Sequence, residues 1–454
     1  MTRRSGLFAA WLALCVFLGG ASAAGWAANG LLQVLAIPII LACVWRVGPA
    51  MPAGARPLLW LAFLFALIAT LSLLPLPASL WSALPGREPI SRGFALLGIA
   101  PPSLPLSLDA RRTVLSALSL LVPLATFLWA LRLTRDERLF AAKALLFIAA
   151  ATIVLGAAQV FGGEGSSLRF YLITTPDRAV GPFANPNHMA TLLLTAVPFG
   201  ALLVGRSLAK KRSEGGKAAL WVTLLVFLGV GIALNGSLAG FGLLFAVGFV
   251  SFLVFRKARG TFKPRDLAVG AVGVLAFAGL SLLGPLNDQN LQKELDQGNT
   301  GRSVSIPTTL QAAGDFFPAG SGLGTFRDIY RTYEDPSTAS STFVNHAHND
   351  YTEVALEMGL AGVLLIAGAL AWWAWTGFRA WRADFHGANI ARAASVALGA
   401  IILHSLVDYP LRTAAVAAVA GLCCAFMLQP PASERRRRSG ADTGAGAPRH
   451  LEIT

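Results

Sequence analysis

The sequence predicts an all-α, polytopic membrane protein of about twelve spanning helices. Apolar residues come in unbroken runs of roughly 18 to 22, the length that crosses a hydrocarbon core. Of the 454 residues, 55% are hydrophobic and 13% charged, where a soluble domain carries nearer a quarter charged. The mean hydropathy is +0.61. The basic residues, finally, gather in a few connections between the runs.

In chain order, the predicted spans are 6–24, 30–47, 57–76, 113–131, 140–161, 188–206, 218–234, 237–255, 266–285, 352–376, 393–410 and 412–429. A net charge of +14 would suggest a nucleic-acid partner in a soluble protein. Here its placement points to topology. Arg132/Arg135/Arg138, Lys210/Lys211/Arg212, Arg256/Lys257/Arg259 and Arg435 to Arg438 all fall on the cytoplasmic side if the N-terminus is cytoplasmic, as the positive-inside rule requires. The C-terminus is then cytoplasmic too, the expected partners of the basic runs are anionic membrane lipids, and no nucleic acid is expected. The first span has a basic start and an A-x-A ending at Ala23, as signal peptides do. It reads as an uncleaved helix because further spans follow at short intervals. Cys15, Cys43, Cys423 and Cys424 lie in or beside spans, so no disulfide framework is implied.

The organisation follows. Residues 1–285 hold nine spans with outward loops at 77–112 and 162–187, residues 286–351 form a large outward loop, 352–430 hold the last three spans, and 431–454 are a basic tail. The tail has the composition of a disordered segment. The loop 77–112 is Pro-rich and carries Trp81, expected along the membrane interface. The loop 286–351 is too poor in apolar residues to fold alone and is expected to pack over the outer mouth of the bundle.

Polar residues concentrate in four places, all outward by parity of the spans. In FVNHAHNDYTEVALEMG, 343–359, Asn349 or Asp350 can cap the helix, with Glu353 completing a capping box from Asp350. Capping explains those three residues but not His346 and His348, which precede a helix N-terminus that favours anions. In DRAVGPFANPNHMA, 177–190, Asn185 is an N-cap with Pro186 at the first helical position; Asn187 and His188 follow, and Arg178 lies upstream. In 301–326, Arg302 precedes a short helix, and Gly320, Gly322 and Gly324 suit a closely packed turn. In HSLVDYPLR, 404–412, His404 and Asp408 share a helix face. Ionisable groups in an apolar segment are costly, so they mark a site or pair with each other.

This collection suits a multiply charged anion such as a pyrophosphate. Arginine presents a planar fork to phosphate oxygens, and histidine can take a proton from an attacking hydroxyl near neutral pH. The competing chemistry is a metal gathered by His346, His348 and Asp350, but their spacing is not a diagnostic zinc pattern.

On these segments the sequence resembles the O-antigen ligase family, which also contains surface-polysaccharide polymerases. The resemblance rests on HAHNDYTEVALEMGLAG at 346–362, RAVGPFANPNHMA at 178–190, and Arg302 followed by PAGSGLGTF at 318–326; HSLVDYPLR at 404–412 and PLSLDARRT at 105–113 agree with it. It implies a GT-C-type membrane glycosyltransferase in the bacterial inner membrane. Such an enzyme moves a glycan from an undecaprenyl-pyrophosphate-linked donor to an acceptor hydroxyl on the periplasmic side. The acceptor is lipid A–core in a ligase and nascent polysaccharide in a polymerase. No metal and no cofactor are implied. By motif position His348 and Arg302 would be catalytic, while Arg178, Asn185, Asn187, His188, His346, Asn349, His404 and Asp408 would bind substrate. One departure is SVSIPTTL after Arg302, where the family often places a large apolar residue. The reading from another class, a lipid or glycan transporter, predicts ionisable residues near the bilayer midplane and internal repeats. This chain concentrates them at the rim, and no repeat is evident.

Overall fold

Inside a bilayer each backbone N–H must find a carbonyl within the protein, and an apolar run does so most simply as a helix. A computed structural model describes residues 2–22, 26–45, 51–210, 214–269, 272, 304–337, 344–383 and 387–429. The described helices are α1 (Arg3–Leu18), α2 (Ala27–Trp45), α3 (Arg56–Leu71), α4 (Ala78–Ser82), α5 (Glu88–Leu96), α6 (Ala110–Leu118), α7 (Leu121–Leu131) and α8 (Arg135–Phe161). They continue with α9 (Pro186–Ala209), α10 (Gly215–Asn235), α11 (Leu238–Arg259), α12 (304–316), α13 (Phe326–Tyr333), α14 (Asp350–Arg382), α15 (Ala388–His404) and α16 (Ala414–Phe426). Among the described residues, eight helical segments are long and apolar enough to cross a membrane, with α6 and α7 counted as one, and α15 and α16 are shorter apolar helices. The chain is a multi-pass, almost wholly helical membrane protein, as the sequence predicts. The predicted span 266–285 and the tail 431–454 lie almost wholly outside the described residues.

Helix α9 is the hub. It is buried along nearly its whole length and packs on α8, α10, α11 and α15. Small residues permit this closeness: a Cβ at Gly205 would lie 2.6 Å from the Phe255 carbonyl oxygen of α11.

Helix α14 is bent at Gly359, whose φ of 55° departs from helical geometry. A break of this kind strands carbonyl and N–H groups that need partners. The turn at 320–324 supplies them. Ser321 N–H donates to the Leu356 carbonyl (2.9 Å), Gly322 N–H to the Glu357 carbonyl (2.8 Å), and Leu360 N–H to the Pro318 carbonyl (3.0 Å). Gly320 and Gly322 have φ of 80° and 112°, and a Cβ on either would strike Glu357 or Ser107. These glycines serve close packing.

The segment 77–112 corrects one expectation. Trp81 is fully buried, and its indole N–H donates to the Pro105 carbonyl (2.9 Å), closing a two-stranded ribbon of Pro75–Leu76 with Leu104–Pro105. Arg87, also buried, lies over the Trp81 and Phe316 rings and donates to the Leu106 and Gly320 carbonyls. A cation and an indole N–H that find partners inside the fold have no need of the membrane interface.

Candidate functional site

The N-terminus of α14 is set by Asn349. Its Oδ1 accepts from Tyr351 N–H (2.9 Å) and Thr352 N–H (3.1 Å), and its amide donates to the Leu406 carbonyl (2.9 Å). The cap is thus tied to the chain leaving α15. The alternative capping box from Asp350 to Glu353 does not form, because both side chains have stronger partners. Asp350, Glu353 and Glu357 share one face of α14, and all three are buried. Into them reaches Arg412, 3.6 Å from Asp350 Oδ1, 3.3 Å from Glu353 Oε1 and 3.1 Å from Glu357 Oε2.

Buried charges persist only when paired and hydrogen-bonded, and the remaining partners are present. Ser405 Oγ donates to Asp350 (2.8 Å), Ala347 N–H to Glu353 (2.9 Å) and Phe326 N–H to Glu357 (3.3 Å). The second Glu353 oxygen is 2.7 Å from His346 Nδ1. Burial works against the Arg412 charge, but the three carboxylates outweigh it and hold Arg412 above the ordinary guanidinium value.

Tyr409, also buried, stands among three histidines. Its ring centroid is 4.3 Å from that of His346, 4.9 Å from His188 and 5.0 Å from His348. Burial, reinforced by Asp408, pushes its phenol well above the usual value, so the hydroxyl keeps its proton. Asp408, wholly buried, places Oδ1 3.5 Å from His348 Nδ1 and 3.8 Å from His188 Nε2 and accepts from the Tyr409 N–H (2.9 Å). Burial would raise this carboxyl, but His348, His188 and His404 outweigh burial and hold it well below the usual carboxylate range. His404 Nδ1 is 2.8 Å from Thr191 Oγ1.

His348 has φ of 52°, and among the described residues it is the one non-glycine with positive φ. A left-handed backbone costs a residue with a Cβ roughly 1–2 kcal/mol and tends to sit where a side chain must be aimed.

Seven of the sequence-nominated residues therefore converge: His188, His346, His348, Asn349, His404, Asp408 and Asn185, whose side chain hydrogen-bonds Tyr409. Asn185, Asn187 and Arg178 also do structural work nearby. Asn185 caps α9 through Asn187 N–H (2.8 Å), Asn187 Oδ1 accepts from Ser237 Oγ (2.7 Å) at the start of α11, and Arg178 donates to the Gly236 carbonyl (2.7 Å). Arg302 lies outside the described residues. Sequence reasoning missed Tyr409 and Arg412 as site members, although both stand in the quoted segment HSLVDYPLR. It also missed Arg111 and Arg112, which stand in PLSLDARRT.

Those arginines belong to a cavity of about 1070 Å³. Its polar lining includes His346, Asp350, Glu353, Glu357, Arg412, Arg111, Arg112 and Arg327. Its other walls are apolar, including Phe65, Leu124, Phe127, Ile366, Trp372 and Leu398. Leu172 and Ile173 also line it and are themselves highly exposed, so the apolar wall continues to the surface of the fold. Among the described residues, no group of three His, Cys, Asp or Glu side chains is arranged to hold a metal ion.

Residues 223–367 match the family model described as O-antigen ligase. Over that segment the chain is similar to the O-antigen ligase family. The matched segment runs from α10 into α14 and includes His346, His348 and Glu353. It ends before His404, Asp408, Tyr409 and Arg412, which complete the site from outside it. No curated protein matches the chain. The match supports a glycosyltransferase-like enzyme, with lipid-linked glycans and polysaccharides as its general class of partner.

Proposed function

We propose that the protein transfers a glycan from undecaprenyl pyrophosphate to an acceptor hydroxyl on the periplasmic face of the inner membrane, as an O-antigen ligase acting on lipid A–core. The observation that carries this reading is a cavity lined both by arginines and a histidine and by many apolar side chains. A lipid pyrophosphate combines the same two chemistries. The polyprenyl chain lies against Phe127, Trp372 and their neighbours. The pyrophosphate meets Arg111, Arg112 and Arg327, joined by Arg302, the loop arginine that the motif nominates.

The acceptor oxygen attacks the anomeric carbon from the side opposite the pyrophosphate, a histidine of the Tyr409 cluster takes the hydroxyl proton, and the anomeric centre inverts. Charge that develops on the leaving pyrophosphate is met by guanidinium groups already in place, the kind of electrostatic contribution that usually dominates such reactions. The reaction therefore runs without a metal. His348 and Asp408 orient the acceptor beside the cavity. A polymerase would use the same donor and differ only in its acceptor.

Purified protein in nanodiscs with EDTA tests this reading. The donor is undecaprenyl-pyrophosphate-linked glycan extracted from cells that lack the protein, offered with lipid A–core or with a second lipid-linked glycan. Transfer to lipid A–core in EDTA, lost in His348→Ala and Arg302→Ala, is the expected result. Transfer only to the second lipid-linked glycan makes the protein a polymerase, and no transfer to either removes the reading.

A further inference from the structure

A lipid tail reaches an apolar cavity most easily without leaving hydrocarbon for water. The segment 168–173, in the connection between α8 and α9, lies where such a path would begin. Leu168, Phe170, Leu172 and Ile173 are exposed, Leu172 completely and Ile173 at 78%, whereas Arg169 and Tyr171 between them are partly buried. Large apolar side chains exposed singly are ordinary, but four within six residues form a patch that favours an apolar partner. Leu172 and Ile173 also line the cavity.

The patch is held in place by the residues around it. Arg169, the one charge within the segment, donates back to the Thr175 and Arg178 carbonyls (3.2 Å each) and to the Pro176 carbonyl. The Gln159 amide of α8 donates to the Leu168 carbonyl (3.1 Å), and the Thr174 hydroxyl to the Ala184 carbonyl (2.9 Å). Tyr171 sets the depth. Its ring centroid is 5.6 Å from that of Trp26, and its hydroxyl hydrogen-bonds the backbone at Gly20 and Ala21. Trp26 immediately precedes α2, a helix of 19 residues. At 1.5 Å per residue α2 is about 28 Å long, close to the thickness of a hydrocarbon core. A Trp and a Tyr at the end of such a span mark the membrane–water boundary. Leu172 is one Cα step of about 3.8 Å from Tyr171. Further along α2, Leu31, Val34 and Leu41 are exposed, so the patch continues a surface that already faces acyl chains.

We propose that Leu172 and Ile173 insert into the membrane leaflet at the N-terminal end of α2 and form the threshold over which a lipid tail passes from the bilayer into the cavity. The insertion stands on the geometry alone, and the threshold rests on the lipid-donor reading. The bilayer fits this patch better than a second protein does. Four side chains fall far short of the roughly 800 Å² per partner that a stable protein interface buries, whereas insertion extends a lipid contact that the spanning helices already make. The acidic residues of the connection, Glu164 and Asp177, are exposed and flank the segment without entering it. A tail passing beside Leu172 goes from acyl chains to apolar cavity walls, while its headgroup stays at the level of Tyr171.

Full-length protein in nanodiscs of phosphatidylethanolamine and phosphatidylglycerol, without donor, tests the insertion. A nitroxide is attached at Leu172→Cys, at Ile173→Cys or, as a control, at Asp177→Cys. Each variant also carries Cys424→Ala, because Cys424 is the one native cysteine that is not buried. Labels at 172 and 173 are expected to be relaxed more by oxygen, which concentrates in hydrocarbon, than by a water-soluble nickel chelate, the reverse of the label at 177. Nickel access at 172 and 173 equal to that at 177 places the tip in water and overturns the insertion. Shielding from both reagents means that a protein covers the tip, and shielding that appears only on adding donor makes it a donor contact; either result overturns the insertion too. For the threshold, Leu172→Asp combined with Ile173→Asp is expected to lower kcat/KM for the lipid-linked donor about fivefold or more, with a smaller change in kcat, because capture rather than chemistry is impeded. An unchanged kcat/KM overturns the threshold. Failure of wild-type protein to transfer removes the glycosyltransferase reading and the threshold with it, while the insertion is still decided by the depth measurement.

Discussion

The Asp408 carboxylate lies 3.5 Å from the His348 imidazole, and His348 reaches it from a left-handed backbone of φ 52°. Glycine adopts that backbone without the steric cost that any Cβ brings. His348→Gly is therefore expected to melt a degree or two above His348→Ala, reflecting a difference of about 1 kcal/mol. Both should lose transfer. Melting curves by tryptophan fluorescence in detergent, run beside activity, check this. Equal melting temperatures would mean that the backbone at 348 relaxes when the imidazole is removed.

The same carboxylate makes a pH prediction. Asp408 is held well below the usual carboxylate range in the folded protein. A group depressed on folding adds stability above its unfolded value, and that stability drains away as the pH falls through the folded value. Between about pH 5 and pH 3 the wild-type melting temperature should decline more steeply than that of Asp408→Asn, which has nothing to titrate there. The slope is the test, since the level will also shift. Parallel slopes would show that Asp408 carries no such linkage.

Arg412 is the cation for Asp350, Glu353 and Glu357. Its removal leaves three buried carboxylates facing one another, and breaking a buried pair of this kind costs about 3–5 kcal/mol. Arg412→Met should fold poorly or melt far below wild type, and Arg412→Lys should recover part of the loss, since one ammonium cannot replace a fork that spans three partners. Yield and melting temperature in detergent decide. A stable Arg412→Met would mean that the carboxylates are not ionised together.

How much of this was legible depended on how far apart the partners stand in the chain. The caps at Asn185 and Asn349 were readable because a cap and the N–H groups that donate to it lie within three residues. The histidines stood out because capping could not explain them. Glu353 was misread as half of a capping box because its true partners, Arg412 and the His346 ring, are set by how the chain returns after α15. Trp81 was misread for the same reason, its acceptor lying at Pro105. Arg111 and Arg112 could be quoted in a motif but not assigned to a cavity, because the cavity exists only when α3, α6, α7 and α14 stand together. The multi-pass helical class was readable from hydropathy alone, but the hub position of α9 was not.

The bend in α14 offers a cleaner test of packing. A Cβ at Gly359 would sit 2.1 Å from the Pro318 carbonyl oxygen, on a backbone with φ of 55°. Gly248 lies within α11, where an added Cβ meets nothing within 4 Å. Gly359→Ala should destabilise severely and abolish transfer, because the kink and the 320–324 turn hold each other. Gly248→Ala should be neutral or stabilising by up to about 1 kcal/mol. If both alanines behave alike in melting experiments, the interlock between the bend and the turn is not what holds α14.

The cavity itself can be tested by filling it. Ala369 lines its apolar wall from α14 and is exposed within the fold, so a larger side chain there need not crowd the core. Ala369→Trp should fold normally and raise the apparent KM for the lipid-linked donor about tenfold or more, with a smaller change in kcat, because lost tail contacts weaken binding of ground state and transition state alike. Shortening the polyprenyl chain of the donor should then restore part of the difference between wild type and variant. A tryptophan with no effect on KM, or an effect independent of chain length, would place the lipid tail elsewhere on the bundle and detach the arginine-rimmed cavity from donor binding.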